Sequence, residues 1–178
     1  AEVPGENELF CSGQGPLADF LHARRVLPKT FVPPGLRAVA WAHALGLLDA
    51  QTLAVHCVHV NQEDLELLAK AQTYVCLCPR SNAWIGVGQA PVQDMAAAGL
   101  NLCLGTDSMA SNADLNLWAE LDALCSILPQ PWSLGQLLAL ITTNPAQVLG
   151  LQEDFGLLAP GRRAQWAVVP PQYANLPL

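Results

Sequence analysis

TLAVHC at 52–57, TYVCLC at 73–78 and LNLCL at 100–104 are three short apolar runs, each bounded by polar residues. Runs of this length, apolar on both faces, suit strands buried in a parallel sheet. Helical stretches separate them. QEDLELLAKA follows Asn61, opens on acids and closes on Lys70, which matches the helix dipole with Asn61 as N-cap. PVQDMAAA at 91–98 is stopped by Gly99. Strand and helix in alternation mark parallel βαβ units, so the fold class is α/β. Three strands are too few for a closed barrel, which needs eight strands and about 250 residues.

On the N-terminal side, residues 5–12 and 15–26 read as short helices, the second with Pro16 at its start. Residues 28–35 form a Pro-rich loop, and 36–48 are helical. On the C-terminal side, 114–128 reads as a helix. Ser133-Leu-Gly-Gln136 is a capping box opening another, and Asn144-Pro145 opens a last short one. Residues 156–161 are turn-rich and 164–169 (AQWAVV) read as a strand with no neighbour in this chain to pair with. There are no internal repeats or low-complexity segments.

The chain has 178 residues, enough for one domain with an ordinary core. Only 13% are charged and 52% are hydrophobic, against about 25% charged in an ordinary domain. Much apolar surface therefore needs covering by a second copy, a partner or a missing part of the same chain. The net charge is −7, and no basic cluster is denser than Arg24-Arg25 or Arg162-Arg163. That argues against nucleic acid and anionic membranes as partners. No apolar run reaches the roughly 18 residues of a transmembrane helix. The chain begins at Ala1-Glu2 rather than at Met, so the natural start of the product is not shown. Six cysteines, four in the apolar runs, fit core thiols in a reducing cytoplasm. A zinc site from Cys76 and Cys78 with Cys57 or Cys103 is a weaker reading, because C-x-C has the wrong loop length for a zinc knuckle.

In parallel α/β folds the chemistry sits at the carboxyl ends of the strands. The first strand delivers His56 there, with His59 close behind. The second delivers Cys78-Pro79-Arg80-Ser81-Asn82, and the third Thr106-Asp107-Ser108. A His and an Asp on neighbouring strand ends can share a water and a cation. Asn82, Ser111 and Asn112 read as loop polars or caps, and His22 and His43 as surface or packing residues. No Gly-x-Gly-x-x-Gly follows a strand, which argues against a doubly wound phosphate-binding domain.

Taken together, HCVH at 56–59, CPRSN at 78–82, Gly88-x-x-PVQDM to 95, LGTDSMASN at 104–112 and DLNLWAE at 114–120 resemble the amidohydrolase superfamily. The similarity is to its branch of cytosine, guanine and adenosine-type deaminases and triazine chlorohydrolases. The resemblance covers nearly the whole chain and implies the C-terminal part of a (β/α)8 TIM barrel, strands six to eight with their helices. Residues 1–155 would be barrel, and 156–178 the return into a small β-sandwich, where Ala164-Gln165-Trp166 replaces the family's Gly-x-Ala-Asp-Leu tail. The resemblance also implies roles. Asp107 would be the metal ligand from the eighth strand and would help activate water. His56, from the sixth, would contact the attacking water or substrate. Glu2 would be the proton shuttle of a His-x-x-Glu motif whose His lies two residues before Ala1.

The implied activity is hydrolytic deamination of an adenine nucleoside-like amino-heterocycle with one divalent metal, zinc or iron. A chlorohydrolase of the same superfamily is the alternative. A metal-free binding or scaffold domain is the reading from another class. The implied setting is cytoplasmic, with a small-molecule substrate and with self-association or packing against an N-terminal half. The family's His-x-His occurs nowhere in the chain, and a catalytic zinc takes three protein ligands. Residues 1–178 alone are therefore expected to hold metal poorly and to turn over nothing. Elemental analysis of the purified chain checks this, and tightly held stoichiometric zinc contradicts it.

Overall fold

The computed structural model describes residues 1–173. Three parallel strands, β1 (Leu53–Val55), β2 (Tyr74–Leu77) and β3 (Asn101–Leu104), form one sheet in the order β1-β2-β3. Before β1 come α1 (Pro4–Ser12), α2 (Pro16–Ala23) and α3 (Ala38–Ala44). Helix α4 (Gln62–Lys70) joins β1 to β2, while α5 (Pro79–Ile85) and α6 (Val92–Ala97) join β2 to β3. After β3 come α7 (Leu117–Ile127), α8 (Leu134–Ala139), α9 (Thr143–Val148) and a single 3-10 turn, Pro171–Tyr173.

The expected elements fall near their places, and their caps explain the boundaries. Asn61 accepts from Asp64 N–H and Ser133 from Gln136 N–H, both in capping boxes. The helix expected over 114–128 begins three residues later, because Asn116 caps it instead. Asn144 does not cap α9; it lies inside that helix, and its Nδ2 donates to the Leu102 carbonyl at 2.7 Å. Helix α5 is not among the expected elements, where Asn82 reads only as a loop polar or cap. Its signals are Pro79 in the first turn and Gly86 at φ 76 after the last, with no apolar stripe between.

Side chains alternate across a strand, so the sheet has two distinct faces. Val75, Leu77, Leu102 and Leu104 point to the main core, where Leu68, Met95, Leu121 and Leu137 from the helices cover them. On the other face Val55, Cys76 and Cys103 share one register row. Cys76, Cys78 and Cys103 cluster there against Val148, while Cys57 belongs to the main core. The zinc reading of the cysteines therefore fails for Cys57, and among the described residues no group of three or more His, Cys, Asp or Glu side chains is placed to hold a metal ion. The Cys76 thiol is pulled to lower pKa because Cys103 and Cys78 both donate hydrogen bonds to it. Burial raises the Cys57 thiol to about 11.

Two expectations are corrected. β1 is not a buried strand: Leu53 and Val55 are 37% and 45% exposed, because no strand pairs with its outer edge among the described residues. Residues 164–169 form no strand, since no sheet edge among the described residues meets them. The tail instead lies over α7, where Tyr173 is buried with its ring 5.4 Å from that of Trp118. On the outer edge of β3 two backbone groups find partners by other means. Leu104 N–H donates to the Leu140 carbonyl at 2.9 Å, and Asn144 meets the Leu102 carbonyl.

Gly105, where β3 hands over to the next loop, is a glycine because of a close approach. A Cβ there would lie 2.7 Å from Cys76 Sγ and 3.7 Å from Cys78 Sγ. Gly105→Ala should cost about 1–3 kcal/mol by overpacking. Most of that loss should be recovered when Cys76 is also changed to Ala, as measured by urea unfolding of the single and double variants.

Candidate active site

His56, Asp107 and Glu2 meet at the carboxyl end of the sheet. His56 follows β1 directly in a three-residue turn closed by Cys57 N–H to the Val55 carbonyl, with His56 at φ 66 and Cys57 at φ 48. Two successive non-glycine residues at positive φ are rare and cost energy that surrounding contacts must offset. The His56 N–H donates to the Cys76 carbonyl on β2 at 2.9 Å, and its Nδ1 pairs with Asn82 Oδ1 at 3.0 Å. Asn82 Oδ1 can only accept, so Nδ1 carries the proton and Nε2 is the nitrogen left to face the site.

Nε2 lies between two carboxylates, 3.8 Å from Glu2 Oε1 and 3.9 Å from Asp107 Oδ2. Both separations exceed a direct hydrogen bond. The Glu2 backbone is held by Glu6, whose Oε1 accepts from Glu2 N–H at 2.9 Å and Val3 N–H at 3.0 Å at the start of α1. The Ala1 carbonyl accepts from His59 N–H at 3.0 Å, which ties this segment to the loop after β1. His59 itself turns away, its Nε2 meeting the Val87 carbonyl at 2.8 Å. His22 and His43 are exposed on α2 and α3, away from the strand ends.

Asp107 has φ 56, and its Oδ2 accepts two hydroxyls, from Ser81 at 2.7 Å and Ser111 at 2.9 Å. Those two hydrogen bonds, Ser81 first, hold its carboxyl below the ordinary value of 3.8. Among the described residues Oδ1 carries no hydrogen bond, and the side chain is 31% exposed. An ionised, oriented carboxylate with one free oxygen beside an imidazole Nε2 fits a divalent cation as one of its ligands.

From sequence, Asn82, Ser111 and Asn112 read as loop polars or caps, and Ser81 only as part of the second strand's end. The structure gives them partners in the site instead. Ser81 and Asn82 are the buried residues of α5, whereas its Trp84 and Ile85 are exposed, so this helix turns its polar side inward. That inversion is the missed signal: CPRSN opens a helix whose hydroxyl and amide serve the neighbouring strand ends. The two larger clefts, of about 450 and 510 Å3, are lined by none of Glu2, His56 and Asp107; only Asn82 reaches the smaller one.

Residues 34–177 match the family model described as "Amidohydrolase family". A 5-methylthioadenosine/S-adenosylhomocysteine deaminase of Moorella thermoacetica is 38% identical over 141 residues, 76% of this chain and 33% of that protein. An adenosine deaminase from Xanthomonas campestris, solved with bound zinc, superposes with a TM-score of 0.72 at 25% identity, covering 92% of this chain and 34% of that one. An atrazine chlorohydrolase from Arthrobacter aurescens, complexed with zinc, gives a TM-score of 0.65 at 26% identity over 74% of this chain and 30% of that one. The chain thus spans about a third of the length of the relatives it matches. With this coverage and the HCVH, CPRSN and LGTDS segments carrying its strand ends, the chain belongs to the amidohydrolase family.

Proposed function

We propose that this chain is the C-terminal barrel portion of a hydrolytic deaminase for an adenosine-like substrate. β1, β2 and β3 serve as strands six to eight of a (β/α)8 barrel. Residues 1–155 belong to the barrel and 156–178 return toward a β-sandwich. Of that return, 174–178 lie outside the described residues. The observation that carries the reading is His56 Nε2 held between the Glu2 and Asp107 carboxylates at the strand ends. Deaminase-named relatives support the substrate class.

Asp107 would hold the divalent metal, zinc or iron, with ligands supplied from outside this chain. When bound, such a cation lowers the pKa of water toward neutrality. The residues of this chain handle protons and charge. Asp107, ionised by its two serine hydroxyls, takes the proton released as water adds to the amidine-like ring carbon. His56 Nε2, its opposite nitrogen fixed by Asn82, accepts a hydrogen bond from the attacking water and so orients it. Glu2 relays that proton from Asp107 to the ring nitrogen, then carries the hydroxyl proton of the tetrahedral centre to the departing amine, so that the carbonyl forms as the C–N bond breaks and ammonia leaves. The apolar edge of β1 and the cleft beside the tail are where the remaining barrel, or a second copy, packs.

In the whole protein that carries this chain, Asp107→Asn, His56→Asn and Glu2→Gln should each lower kcat for 5-methylthioadenosine or S-adenosylhomocysteine by about 100-fold or more, measured as ammonia release. Chloride release from a chlorotriazine with no ammonia from either nucleoside would replace the deaminase by the chlorohydrolase reading. In the metal-free chain, Ser81→Ala should raise the Asp107 carboxyl toward 3.8, which carboxyl NMR titration detects. The depressed native value stabilises the fold above the unfolded pKa and is lost as pH falls through the folded one. The variant should therefore lose part of this acid-sensitive stability.

A further inference from the structure

Glu120 is wholly buried on α7, and the acid–base assignment above does not use it. Its Oε2 accepts from the Arg80 backbone N–H at 3.1 Å, and its Oε1 from Asn112 Nδ2 at 2.6 Å. The Arg80 guanidinium stands 3.9 Å from Oε1 and is itself paired with Asp114 at 2.6 Å. Arg80 immediately precedes Ser81 and Asn112 immediately follows Ser111, so the residues held by Glu120 flank both serines whose hydroxyls meet Asp107. Asn112 Nδ2 also donates to the carbonyl of Thr106 at 2.7 Å, one residue before Asp107 and its positive φ.

The geometry points to Glu120 as a positioning residue for Asp107: its two carboxylate oxygens lock the Arg80-Ser81 and Ser111-Asn112 segments against α7, and so fix the hydroxyl pair and the peptide that aim the Asp107 carboxylate. The chemistry requires an acceptor at both oxygens. Both groups that Glu120 meets are N–H donors, and a glutamine would set its own NH2 against one of them. Burial makes that mismatch costly, because no water is at hand to absorb the unpaired donor. The kinetic arm of the test rests on the deaminase reading; the structural arm does not.

Glu120→Gln should lower kcat in the metal-loaded whole enzyme by about 10- to 100-fold, the range for residues that orient a ligand from behind, with KM changed less than about threefold. In a Ser81→Ala/Ser111→Ala background the same change should cost less than about threefold, since the hydroxyls it positions are gone. Independently, NMR of the 178-residue chain should show backbone shifts of Thr106 and Asp107 displaced in Glu120→Gln, and in Asn112→Ala should the first variant fold poorly. They should stay unmoved in Leu137→Ala, a core truncation chosen to lower stability away from the loop. Equal kcat losses in both backgrounds, or Thr106 and Asp107 shifts that follow stability in every variant, would overturn the inference. Displaced shifts in an enzyme that releases no ammonia would uphold it and reject the deaminase.

Discussion

One carboxylate oxygen, Oδ2 of Asp107, collects hydrogen bonds from two separate segments and faces the imidazole of a third. A short carboxylate at φ 56 has little reason to hold one direction by itself. It holds direction here because Ser81 comes from the helix after β2, Ser111 from the loop after β3, and His56 from the turn after β1. A parallel sheet is what makes this possible. Strands running the same way put all their carboxyl ends on one rim, and residues far apart in sequence arrive within hydrogen-bond distance. The arrangement also explains the tolerance for strain at His56, Cys57 and Asp107, whose positive φ values all sit on that rim.

The second constraint lies on the inner face just below the rim. Cys76, Cys78 and Cys103 fill the layer beneath Asp107, and Gly105 yields its side-chain space to the Cys76 and Cys78 sulfurs. Small, polarisable thiols suit this layer because they pack as apolar groups yet hydrogen-bond one another. A larger residue at 105 would push the turn that carries Thr106 and Asp107 outward. Packing density two residues before Asp107 thus sets where the carboxylate stands.

What could be read from the residues, and what could not, follows from the kind of signal each element carries. β2 and β3 are apolar on both faces, and α4 and α8 carry full capping boxes, so local pattern and tertiary role agree. Helix α5 was missed because it is amphipathic in the opposite sense, with Ser81 and Asn82 buried and Trp84 exposed at 64%. Periodicity arguments assume that the apolar side faces in. β1 looked buried because Leu53 and Val55 are apolar, yet burial also depends on a neighbour that sequence pattern cannot supply. The strand expected at 164–169 failed for the same reason, since strand-forming residues without a partner edge remain extended chain. Glu2, His56 and Asp107 were named from strand ends and family motifs, but their supports were not. Serines, asparagines and a buried Glu120 look like ordinary turn and helix polars until the fold brings them together.

The sparse charge of the chain and the asymmetry of its sheet are one problem seen twice. On the outer edge of β3 two backbone groups find partners, Leu104 N–H in the Leu140 carbonyl and the Leu102 carbonyl in Asn144. Among the described residues β1 has neither a strand nor a helix segment doing the same work, and its outward side chains are Leu53 and Val55 rather than the Lys or Pro that protect natural edges. The tail adds Leu158, Trp166 and Val168, each more than 70% exposed. Apolar surface of this kind is costly in water at both places. The two are not equivalent, however. The β1 edge runs into the turn that carries His56, whereas the cleft beside the tail is lined by none of Glu2, His56 and Asp107.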